Sequence, residues 1–199
     1  MSDRRLHIWV EGAIIAAMAM ALEYFPHSIG PWINLSYGVI PVAIFSLRRG
    51  AKAGLATGLV WGLLDLFLRG FGDGGFLNPL QGVLEYPVAF SVVGLIGLGA
   101  APLRRAITAQ AHNRIIGIAL GYTLLGVIVK YFCHFLAGVI YWGSYAPKGM
   151  NPWLYSLAVN GGSALANTIL SGVLIVLLAR ASARLFSPRD TFKAFTGTN

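Results

Sequence analysis

The pair Glu85-Tyr86 stands at the start of a long uncharged stretch, and "LEYPVAF" adds a further aromatic ring close by. A carboxylate beside aromatic rings suits a cationic ligand, through charge pairing and through cation–π contact worth about 0.5–2 kcal/mol. His134 lies in a second apolar stretch, Tyr155 and Asn160 in a third, and all three bring hydrogen-bonding groups. The indoles of Trp32, Trp61 and Trp142 lie in or beside these stretches and offer flat apolar faces. Each residue has an ordinary alternative. Trp32, Trp142 and Trp153 could be interfacial anchors; His134 could hydrogen-bond a neighbouring helix; Glu85 could be a solvated carboxylate at a helix start. Trp61 sits about two turns inside its stretch, deeper than an anchor would be. Polar groups in apolar surroundings are costly unless something binds them, so these residues point to a small-molecule site.

Two charges accompany them. Asp65 follows Trp61 by four residues and Lys130 precedes His134 by four, so each pair shares a helix face. A buried lysine needs a partner, and Asp65, Glu85 or a backbone carbonyl is the expected one. A structural role is favoured over direct ligand contact, because an ammonium would repel a cationic ligand. Cys133, the single cysteine, rules out an intrachain disulfide framework and reads as a small packing residue. The chain has no G-x-x-x-x-G-K-[ST] phosphate loop, no H-E-x-x-H and no G-x-S-x-G. No catalytic residue, metal site or cofactor is expected, although Glu85 and His134 acting as an acid–base pair in a membrane enzyme is the rival reading.

The elements that must position these residues are membrane helices. Of 199 residues, 56% are hydrophobic and 11% charged, with a mean hydropathy of +0.68; a soluble domain carries about 25% charged residues. The expected fold is an all-α membrane protein, one domain over 1–199, forming a bundle of six transmembrane helices. The spans are 8–25, 35–47, 53–68, 83–101, 115–140 and 155–178. The second and third fall short of the roughly 17–25 residues a span requires. The first is long enough to remain as a span rather than a cleaved signal. The 25 glycines are spread through the apolar runs, where they let helices approach closely in lipid.

An even number of spans puts both termini on one side. That side collects Arg4, Arg5, Arg48, Arg49, Lys52, Arg104, Arg105, Arg114, Arg180, Arg184, Arg189 and Lys193, against Arg69 and Lys148 in the opposite loops. The bias makes the termini cytoplasmic and the candidate site outward-facing. Orientation accounts for the net charge of +8, so the partner is the lipid bilayer and no nucleic acid is expected. On the first span Ala13, Ala17 and Ala21 recur every fourth residue, a small-residue stripe suited either to docking another membrane subunit or to packing within the bundle.

Three segments carry a family resemblance: "LRRGAKAGLATGLVWGLLDL", "LNPLQGVLEYPVAF" and "KYFCHFLAGVIYWGSYAPKGMNPWLYSLAVNGG". Over roughly 11–178 the chain resembles the thiamine-specific S components of energy-coupling factor (ECF) transporters. The resemblance implies a six-helix subunit of a prokaryotic plasma membrane that binds thiamine near the outer surface. Its partners would be a membrane coupling subunit and two ATPases, with toppling in the membrane as the transport step. It further implies that Glu85 serves the positively charged thiazolium with Tyr86 beside it, and that Trp142 stacks on the ligand. His134 would be a site residue, Tyr155 and Asn160 would contact the aminopyrimidine, Trp61 would be a site aromatic and Trp32 a covering loop aromatic. Ala13, Ala17 and Ala21 would dock the coupling subunit. In the loop after the third span, "RGFGDGGFLNP", Phe71 or Phe76 would supply a further aromatic. Tyr155 and Asn160 are five residues apart, about 140° around an α-helix, so both can face one ligand only if the span starts irregularly. An S component for another vitamin is the alternative within the class.

Overall fold

Apolar runs that cannot hydrogen-bond to lipid must satisfy their backbone internally, and here they do so as helices. The structure, a computed structural model, describes residues 3–72 and 74–188, so Arg189 and Lys193 lie outside the described residues. The helices are α1 (Asp3–Leu22), α2 (Val39–Arg49), α3 (Ala51–Gly70), α4 (Pro79–Thr108), α5 (His112–Ile140) and α6 (Pro152–Ala181). A small antiparallel hairpin, β1 (Ser28–Ile29) and β2 (Ile33–Asn34), links α1 to α2. A 3-10 turn at Ala183–Phe186 follows α6 and buries Phe186 under the bundle.

Five of these helices are long and apolar enough to cross a membrane; α2, at 11 residues, is the short one. Its length of about 16 Å compares with about 30 Å of hydrocarbon. The expected second span, 35–47, therefore loses its first residues to the preceding loop, and the reason is local. The Ser36 N–H donates to Asn167 Oδ1 at 2.7 Å and the Gly38 N–H to Glu23 Oε1 at 3.0 Å. Side chains elsewhere thus satisfy backbone donors just ahead of the helix. Two other starts have a common cause. In "LNP" and "MNP" an asparagine caps the helix and a proline occupies its first turn: Asn78 accepts from the Gln81 N–H, and Asn151 from the Trp153 N–H.

Successive helices run antiparallel. Near one end Arg49 Nε donates to Glu11 at 2.7 Å and Arg48 pairs with the same carboxylate at 3.0 Å, joining α2 to α1. The reversal into α3 falls on Gly50, whose φ of +92° suits glycine. Against α4, α3 presents Gly54, Gly58 and Gly62, and a Cβ on Gly62 would lie 2.5 Å from the Tyr86 carbonyl oxygen. That backbone-to-backbone approach brings the C-terminal part of α3, with Asp65, beside Glu85-Tyr86. The buried core runs along the bundle through Val42, Trp61, Phe90, Val93, Ile96, Val127 and Ile175.

Candidate functional site

Three helices change pitch at the same end of the bundle, the end remote from Arg48, Arg105, Arg114 and Arg180. Single π turns occur at Leu66–Gly70 in α3, Leu84–Val88 in α4 and Leu157–Gly161 in α6. They carry Arg69, Glu85-Tyr86 and Asn160. Such turns widen a helix locally, redirect side chains and are frequent at functional sites. In α4 the turn also accommodates Pro87, which has no N–H to give. Among the three turns, with hairpin residues Ser28 and Asn34 in its wall, lies a cavity of about 640 Å³. Small-molecule sites typically occupy about 300–1,000 Å³.

Glu85 is fixed from several sides. Its Oε2 accepts from Trp142 Nε1 at 2.9 Å and from Gln81 Nε2, while Oε1 faces His134 Nδ1 at 3.8 Å. Gln81 is fully buried; its Nε2 also donates to the Gly75 carbonyl at 2.9 Å, and its Oε1 accepts from the Leu77 N–H at 3.0 Å. The Tyr86 hydroxyl donates to that same Gly75 carbonyl at 3.2 Å. The third loop is thus stitched to the wall that holds the carboxylate. Phe71 and Phe76, the loop aromatics considered from sequence, pack on one another at 4.7 Å instead of entering the cavity wall.

A second charged group lines the cavity. Asp65 accepts from Arg69 Nε at 2.6 Å, and Arg69 also lies 3.8 Å from Glu23 Oε2 and donates to the Glu23 carbonyl at 3.3 Å. Glu23 Oε1 accepts from Ser36 Oγ at 3.0 Å in addition to the Gly38 N–H. Lys130 departs from expectation. Among the described residues it forms no ion pair; its Nζ sits 3.4 Å from His134 Nε2 and over the rings of Phe90 (4.4 Å) and Tyr131 (4.8 Å). Arg69 has taken Asp65, and the Lys130 amine lies over aromatic faces instead. The His134 ring stands between that amine, at Nε2, and the Glu85 carboxylate, at Nδ1.

Of the residues singled out from sequence, Glu85, Tyr86, His134, Trp142 and Asn160 line the cavity together. Asn160 Nδ2 donates to Ser156 Oγ at 3.1 Å, which in turn donates to the Phe135 carbonyl. Tyr155 and Trp32 do not line it; they meet edge to face, ring centroids 6.3 Å apart, on the hairpin side of α6. Tyr155 lies in the regular first turn of α6, Pro152–Ser156, and the irregularity follows it as the π turn that contains Asn160. Trp61 is fully buried behind the cavity, its ring edge-on to Phe90 at 4.5 Å. Phe90 lines the cavity, so Trp61 backs the wall. Ala13, Ala17 and Ala21 are exposed on the surface of α1, and the buried face of that helix is Gly12, Ala16, Ala19 and Met20.

Sequence reasoning passed over Glu23, Ser36, Tyr131 and Ser163, all lining residues. For Glu23 the signal was available: "LEYF" repeats the Leu-Glu-Tyr of "LEYP" at the end of an apolar run. Three acidic side chains (Glu23, Asp65, Glu85) and two basic ones (Arg69, Lys130) line the cavity.

Membrane-length helices around a polar, aromatic cavity at one end define a multi-pass membrane protein with a candidate small-molecule site. The chain belongs to the thiamine transporter protein family (Thia_YuaJ), whose profile matches residues 9–187. It is 50% identical over 188 residues to the thiamine transporter ThiT of Lacticaseibacillus paracasei, covering 94% of each chain. To the thiamine transporter ThiT of Bacillus subtilis it is 31% identical over 182 residues, 88% of this chain and 92% of that one. A solved structure of ThiT from Listeria monocytogenes superposes with a TM-score of 0.86 at 38% identity, over 94% of this chain and all of the other. These relatives and the apolar helices make it a multi-pass protein of the prokaryotic cell membrane.

Proposed function

We propose that this chain is the thiamine-binding membrane subunit, or S component, of an ATP-driven ECF importer, and that thiamine occupies the cavity between the three π turns. The observation that carries the reading is the Glu85 carboxylate in a cavity walled by Tyr86, Phe90 and Trp142. Thiamine is a flat monocation, so charge and shape agree. Glu85 faces the thiazolium, Trp142 stacks on the ligand, and His134 and Asn160 serve the aminopyrimidine. Trp32 and Tyr155 close over the ligand from the hairpin side, and Trp61 braces Phe90.

The basic helix ends lie in the cytoplasm and the cavity opens outward, following the positive-inside bias. The chain carries no phosphate loop of its own, and the resemblance to ECF S components implies that release inward is driven by two ATPases through a membrane coupling subunit. Ala13, Ala17 and Ala21, exposed on α1, are the docking stripe for that subunit. The protein binds and hands over its ligand unchanged. Calorimetric titration of the detergent-solubilised protein with thiamine tests the reading: saturable, one-to-one heat supports it, and no heat with thiamine in excess removes it.

A further inference from the structure

Asn167 sits on α6 two turns past Asn160, is 1% exposed and does not reach the cavity. Its side chain is nonetheless fully engaged. Oδ1 accepts from the Ser36 N–H at 2.7 Å, and Nδ2 shares its two protons among the Asn34 carbonyl (2.7 Å), the Tyr131 hydroxyl (2.7 Å) and the Ser163 carbonyl (2.8 Å). All four partner residues line the cavity. Asn167 therefore stands directly behind the wall.

The hairpin depends on this point of attachment. Beside Asn167, the Asn34 N–H donates to Ser163 Oγ at 3.0 Å and the Tyr131 hydroxyl donates to the Asn34 carbonyl at 3.2 Å. Strand β1 is linked to β2 through the pairs Ser28↔Asn34 and Ile29↔Ile33 and through Ser28 Oγ, which donates to Asn34 Oδ1 at 2.9 Å. Both edges of the hairpin thus connect to α5 and α6 by way of Asn34. Asparagine suits the position because one side chain must accept from Ser36 and donate to Asn34; a carboxylate has no donor and an aliphatic chain has neither.

We propose that Asn167 is a positioning residue, a latch that holds segment 33–36 against the cavity and so sets how slowly a bound ligand leaves. The kinetic part rests on the reading that the cavity binds thiamine; the latch itself does not. Removing the amide leaves the buried Ser36 N–H without its acceptor and takes one donor from Asn34. Each such bond is worth about a 2- to 13-fold change in an equilibrium.

The test compares wild type with Asn167→Ala as intact, solubilised protein. Hydrogen exchange without ligand should quicken roughly tenfold in peptides covering 33–38, and stay unchanged in α3 and α4. Thiamine should dissociate roughly tenfold faster with its association rate nearly preserved. Unchanged exchange at 33–38 overturns the latch, as does faster exchange throughout the bundle, which would make Asn167 an ordinary core residue. A slower association with unaltered dissociation overturns the kinetic role. Should wild type bind no thiamine, the functional reading fails while the exchange comparison still decides the latch. Asn167→Ser, too short to span both hairpin contacts, gives the same comparison if the alanine variant does not fold.

Discussion

Replacing Glu85 with Gln removes one charge and keeps nearly the same shape, which makes it the sharpest probe of how the cavity recognises a cation. The Glu85 side chain is 15% exposed, with Oε2 held by Trp142 Nε1 at 2.9 Å. The carbonyl oxygen of a glutamine can keep that bond. It cannot keep the negative charge that sits between Trp142 and His134. Opposite charges about 4–6 Å apart at an effective dielectric of about 20 attract by about 3–4 kcal/mol, and desolvation of both groups offsets part of this. Hydrogen bonds to charged groups retain a net of about 1.5–3 kcal/mol. The expected loss for thiamine is about 2 kcal/mol, or about 30-fold in Kd. A neutral isostere with carbon in place of the thiazolium nitrogen should lose less than about 3-fold, since for it only hydrogen bonding changes. Calorimetric titration of both proteins with both ligands measures all four affinities. Equal losses for the charged and neutral ligands would refute the charge argument and leave Glu85 acting through shape or hydrogen bonding.

Of the indoles, only Trp142 lines the cavity, so Trp142→Phe should abolish most of the thiamine-induced fluorescence quench, and Trp61→Phe and Trp153→Phe should leave it largely intact. Titration of each variant reads this directly, and a quench that survives in Trp142→Phe shows that another ring stacks on the ligand. Ala17→Trp places an indole on the exposed stripe of α1; thiamine affinity should stay within about 2-fold while uptake by cells carrying the coupling subunit and ATPases falls sharply. Uptake at the wild-type level would move the docking surface elsewhere.

Helix number and order were legible because length and apolarity decide what can lie in lipid, but the expected starts at 83 and 155 missed the Asn-Pro caps that begin these helices at Pro79 and Pro152. The start of α2 was not legible, because the Ser36 and Gly38 N–H groups are claimed by Asn167 and Glu23, residues distant in sequence. At the site, position along a helix gave depth and grouped Glu85, His134 and Asn160 correctly by level. Depth does not give direction around the axis. Trp61 therefore shares the level of the site yet faces Phe90 and the core. The partner of Lys130 was hidden for a related reason: Arg69, four residues past Asp65, is the closer claimant on that carboxylate. Glu23 was passed over at its helix end, although "LEYF" repeats the Leu-Glu-Tyr around Glu85.

The π turns inside α4 and α6 each separate helical segments of different angular phase, whereas that of α3 ends its helix. Within α6, the turn at Leu157–Gly161 separates Pro152–Ser156 from Gly162–Ala181. A π turn amounts to one inserted residue, or about 100° of rotation. Deleting one residue there would leave an uninterrupted α-helix of ordinary stability, yet it would swing Trp153 and Tyr155 about a quarter-turn away from their present neighbours. Side-chain substitutions in these turns test chemistry, whereas single-residue insertions and deletions rewrite which residues look at one another. Alignments of relatives should accordingly be judged at these two places by whether a gap falls inside the turn, because a gap there re-aims every residue between it and the helix end.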